Sequence, residues 1–101
     1  MTQATPAEIL RRLELAYEAA EAALESAQDE TAQALEHYRG LCRRAASAPD
    51  PDAADAEAGQ AYDDYRELRG QIAGYERAAE EAQARLEYAR QEERDDDDHR
   101  A

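Results

Sequence analysis

Apolar residues in this chain recur at alternating steps of three and four. One ladder is Leu10, Leu13, Tyr17, Ala20, Leu24, Ala27, Thr31, Ala34, Tyr38, Leu41, with Thr31 its one polar rung. A second is Ala58, Ala61, Tyr65, Leu68, Ile72, Tyr75, Ala79, Ala82, Leu86, Ala89. Alternating steps of three and four average 3.5 residues, the period at which a helix keeps one seam against another helix. The pattern predicts an all-α fold, an antiparallel two-helix coiled-coil hairpin. A second copy could complete it as a four-helix bundle.

Local signals set the element ends. Thr5-Pro6-Ala7-Glu8 places an N-cap residue, a proline at the first helical position and a glutamate at the third, a capping box. Arg43 and Arg44 fall where cations favour the end of a helix dipole. Ala48-Pro49-Asp50-Pro51 then breaks the pattern, because a residue preceding proline is pushed out of the helical region. Helix one is expected over about 6–47, the turn over 48–51 and helix two over about 52–94, capped by Asp50 or Asp52. Residues 1–94 form the hairpin in this reading. The run Asp95–Asp98 places negative charge at a helix C-terminus, so 95–101 are expected to fray into a flexible acidic tail.

So short a connection forces the arms antiparallel. Centring the turn between Pro49 and Asp50 sets Ala34 opposite Tyr65, Ala27 opposite Ile72, Leu24 opposite Tyr75 and Tyr17 opposite Ala82. Bulky side chains thereby meet smaller ones, which fills a seam without clash. The same register brings Glu14 near Arg90. Two helices bury only a seam, so a partner would add to the stability of such a fold.

Some apolar residues fall outside the ladders. Ile9, Ala16 and Ala23 flank the first seam, and Leu15 and Leu35 lie off it. The second seam is flanked instead by Arg69, Glu76, Gln83, Arg85 and Arg90. The stripe Ile9, Leu15, Ala16, Ala23 is expected to take another helix, from a protein partner or by self-association. Gly70 and Gly74 stand mid-helix, each at about 1 kcal/mol against alanine. They would admit a closely packed backbone or soften a hinge.

Composition then narrows the chemistry. Twenty-five acids against twelve basic residues, all arginine, give a net charge of −13 in 101 residues. Such a surface repels phosphate backbones and anionic lipid, so neither direct nucleic-acid binding nor a membrane surface is expected. Between Arg12 and Arg39 the chain carries seven acids and no arginine. That strip reads as a solvated face, with an acidic mimic of nucleic acid as an alternative role. No apolar run approaches the ~20 residues of a membrane span. The single cysteine, Cys42, gives no internal disulfide, so a cytoplasmic protein is expected; leaderless secretion and virion association stay open.

No catalytic or cofactor signature stands out. His37 and Cys42 are five apart on a helix and diverge, and four consecutive aspartates lack the spaced ligands of a calcium loop. The expectation is a non-enzyme without cofactor or metal, acting as a scaffold, adaptor or assembly subunit.

Tyr38-Arg39-Gly40 and Tyr88-Ala89-Arg90-Gln91-Glu92, in a helical hairpin of about this length, resemble the WXG100 proteins exported by type VII secretion systems. The first triplet is similar to that family's Trp-x-Gly and the second segment to its C-terminal Tyr-x-x-x-Asp/Glu signal. The resemblance implies an exported helical hairpin. The chain departs from it in having Tyr for Trp, and a glycine well before the proline-rich turn.

Overall fold

The structure, a computed structural model, describes residues 3–100, and the side chains of 3–94. It contains two long helices, α1 (Pro6–Ala45) and α2 (Pro51–Arg100), that form a helical hairpin; no strand occurs among the described residues.

The N-terminus of α1 forms as its sequence dictates. The Thr5 hydroxyl accepts a hydrogen bond from the Glu8 backbone N–H at 3.2 Å, and the Thr5 carbonyl accepts the first helical bond from Ile9. At the other end, Ser47 and Ala48 donate to the carbonyls of Arg44 and Ala45. These tighter i→i+3 bonds end α1 near the expected place. No described residue has a positive φ, so the connection is made without a left-handed residue. Asp50, one of the two expected caps, starts α2: its carboxylate accepts from the Ala53 N–H at 3.2 Å, with Pro51 as first helical residue.

The far end of α2 differs from expectation. The helix continues to Arg100 through the segment read as a flexible acidic tail. The effect of misplaced charge fades within the last turn of a helix, and no stop signal adds to it.

Contacts divide the chain into two compact units. The turn unit is Glu25–Gly74. Here Leu41, Ala58 and Ala61 are buried together with Tyr38 packed against them, and Ala27 and Thr31 are buried as well. The Thr31 hydroxyl donates to the Ala27 carbonyl at 2.7 Å, so the one polar rung is satisfied within its own helix. Tyr38 and Tyr62 pack with tilted rings 5.2 Å apart, a contact that joins α1 to α2 in this unit.

The terminal unit comprises Met1–Leu24 and Tyr75–Ala101. Ala79 and Leu86 are buried in it, Leu86 most deeply at 4% exposure. Arg90 reaches Glu14 at 3.7 Å, the pairing the register anticipates. Every other ladder residue is at least half-buried except Tyr75, which is 38% exposed. The register sets Tyr75 opposite Leu24, and two bulky side chains cannot both occupy one layer of a narrow seam. Leu24 is half-buried and Tyr75 exposed, so this layer does not fill as the large-against-small pairing anticipates.

Candidate interaction surface

The apolar residues left outside the seam are concentrated at the beginning of α1. Ile9 is 46% and Leu15 47% exposed, and Ala16 and Ala23 are exposed too. Leu35, the other off-ladder leucine, is half-buried in the turn unit. Helical geometry explains the division. A seam takes two positions in seven, and Ile9, Ala16 and Ala23 stand at one flanking position repeated every seven residues.

Ile9 also contributes to a cleft. Pro6, Ile9 and Leu10 of α1 converge with Ala89, Glu92 and Glu93 of α2 around a space of about 250 Å³. Hydrocarbon comes from four of these residues and carboxylates from two. This volume is below the roughly 300–1,000 Å³ of small-molecule sites.

The ion pairs near this cleft are unevenly shared. Glu14 is approached by both Arg11, at 3.4 Å, and Arg90. Among the described residues, no cation lies within ion-pair distance of Glu92 or Glu93. Further along α1, the Tyr17 hydroxyl donates to the Glu21 carboxylate. That hydrogen bond, followed by partial desolvation and the negative charges of Glu21 and Glu87, raises the Tyr17 phenol above its ordinary value of 10.0.

Gly70 and Gly74 are exposed, and a Cβ built on either would meet no atom within 4 Å. Their lack of side chains thus relieves no clash within the chain. In the turn unit, Tyr62 was not anticipated as an interacting residue. It lies off the ladder, yet it contacts Tyr38 and Tyr65 and carries the Arg66 guanidinium 6.0 Å from its ring centre. The signal was present in the register, which sets Tyr38 nearly opposite Tyr62. The neighbouring Cys42 thiol, followed by partial desolvation and the nearby Tyr62, raises the Tyr38 phenol above its ordinary value.

No three His, Cys, Asp or Glu side chains are grouped to hold a metal ion among the described residues. No described helix is long and apolar enough to cross a membrane. Tyr38-Arg39-Gly40 lies inside α1, ahead of its end at Ala45, and its tyrosine is half-buried against Tyr62. Tyr88 is 66% exposed, and Glu92, one helical turn on, is exposed as well. Comparisons with protein-family models, curated proteins and solved structures find no match.

Proposed function

We propose that this chain is a non-enzymatic interaction protein, an acidic helical hairpin that works as a scaffold, adaptor or assembly subunit by packing a further helix along α1. The observation that carries this reading is the exposure of Ile9 and Leu15 on a helix whose neighbouring seam positions are covered. Complete burial of an exposed large aliphatic side chain is worth roughly 1.5–3 kcal/mol, of which the uncovered parts of Ile9 and Leu15 leave a share to gain. Ala16 and Ala23 let a neighbouring backbone approach closely. The lone cysteine supports a cytoplasmic setting.

Light scattering tests this reading. It compares the native chain with Ile9→Ser/Leu15→Ser, each alone and with a synthetic helical peptide bearing leucines at steps of three and four. A native mass above one chain in either condition, lost in the variant, is expected. A native chain that stays folded and monomeric in both overturns the reading.

A second reading, export as a WXG100-like hairpin, is favoured by the exposure of Tyr88 and Glu92, which leaves that segment open to a receptor. Tyr88→Ala and Glu92→Ala are then expected to stop export in a host with type VII machinery. Unchanged export, or none of the native chain, removes this reading.

A further inference from the structure

We infer that the cleft of Pro6, Ile9, Leu10, Ala89, Glu92 and Glu93 receives a lysine or arginine from a basic amphipathic helix of a partner protein. The inference rests on the interaction reading above and names the partner's chemistry. Three features of the cleft select that occupant.

The first is the division of its lining. Pro6, Ile9, Leu10 and Ala89 offer hydrocarbon, and Glu92 and Glu93 offer carboxylates. A long basic side chain has the matching division, an aliphatic stem with a cation at its tip. The second is the supply of local cations. Arg11 and Arg90 both approach Glu14, and no described arginine is within ion-pair distance of Glu92 or Glu93. The third is size, since about 250 Å³ suits side chains of a partner better than a whole small-molecule ligand.

Charge also selects against a second copy as occupant. Two chains of −13 repel one another, whereas a basic helix is drawn in. Such a helix would set its leucines against Ile9 and Ala16 while its cation enters the cleft, so the apolar flank and the acid pair would be read together.

The test uses the full chain and two synthetic helical peptides with leucines at steps of three and four. One carries arginine at its polar positions and the other glutamate. Affinity is measured by fluorescence anisotropy for the native chain, for Glu92→Gln/Glu93→Gln and for Glu25→Gln/Glu30→Gln, which removes equal charge from exposed positions outside the cleft.

The arginine peptide is expected to bind the native chain, about tenfold more weakly after Glu92→Gln/Glu93→Gln, and within twofold of native after Glu25→Gln/Glu30→Gln. Equal losses in the two variants, equal binding of the two peptides, or no binding of the arginine peptide overturns the inference. Ala16→Asn/Ala23→Asn, on the apolar flank but outside the cleft lining, separates the two ideas. If it abolishes binding while Glu92→Gln/Glu93→Gln leaves it unchanged, the interaction reading stands and the cleft inference fails. If it leaves binding intact, the interaction reading fails too.

Discussion

The turn unit and the terminal unit follow the same apolar ladder but complete their packing to different degrees. The turn unit buries Ala27, Thr31, Leu41, Ala58 and Ala61 and leaves Tyr62 as its one large exposed apolar side chain, itself packed against Tyr38. The terminal unit buries Ala79 and Leu86 and leaves Ile9, Leu15, Tyr75 and Tyr88 exposed. A ladder with a 3.5-residue period therefore specifies where two helices meet, while the residues beside it decide how much apolar surface is left over. In the turn unit the flanking aromatics fold onto one another. In the terminal unit they have nothing to fold onto.

This contrast predicts a ranking of stability losses, readable by urea unfolding. Leu86→Ala and Leu41→Ala remove buried leucines, one from each unit, and each is expected to cost about 2–3 kcal/mol. Leu15→Ala is expected to stay within about 0.5 kcal/mol in the isolated chain. A loss at Leu15 as large as that at Leu86 would mean that the α1 face is already covered, and the contrast would collapse.

A double-mutant cycle on Tyr38→Leu and Tyr62→Leu sharpens the turn-unit side. Aromatic pairs contribute about 0.5–1.5 kcal/mol beyond their burial, and the 5.2 Å ring separation places this pair in that range. No measurable coupling would show that Tyr62 is as idle as Tyr88. The matching cycle in the terminal unit, Glu14→Gln with Arg90→Gln, is expected to give less than about 1 kcal/mol, falling further with added salt. Both side chains are partly exposed, which weakens the pair.

The smallest effect concerns Tyr17. Because the hydrogen bond to Glu21 raises the phenol's pKa in the folded chain, its contribution to stability is fully present below 10.0 and is lost as pH rises through the folded value. Alkaline titration of tyrosinate absorbance is expected to lose a late-ionising component in Tyr17→Phe. Loss of a component that ionises near the ordinary 10.0 instead would deny the hydrogen bond a role in solution.

Much of the fold was legible in the chain. The 3–4 spacing marks the seam, Thr5-Pro6 marks the start of α1, and Pro49-Asp50-Pro51 marks the reversal. These signals are local, so they survive translation into structure. The departures have local causes as well. Tyr75 shares a layer with Leu24, and α2 passes Arg94 because charge alone is a weak stop signal. Tyr62 carries no ladder signal because it stands beside the seam.

The candidate surface was legible only in part. The exposure of Ile9, Ala16 and Ala23 follows from counting sevens along α1, and Leu15 stands off the seam altogether. The cleft does not, since Pro6 and Glu93 are remote in sequence and meet only through the way the two helices pack.

Amide hydrogen exchange, on the chain alone and with the arginine–leucine peptide, tests the central claim most directly: the terminal unit carries a face waiting for a partner helix. Local opening is easiest where apolar contacts are few, so exchange alone is expected to be faster in residues 6–24 and 75–94 than in 25–74. Added peptide is expected to slow exchange in the first set and leave the second unchanged. Uniform protection along both helices without peptide, or slowing confined to 25–74 on its addition, would contradict the account.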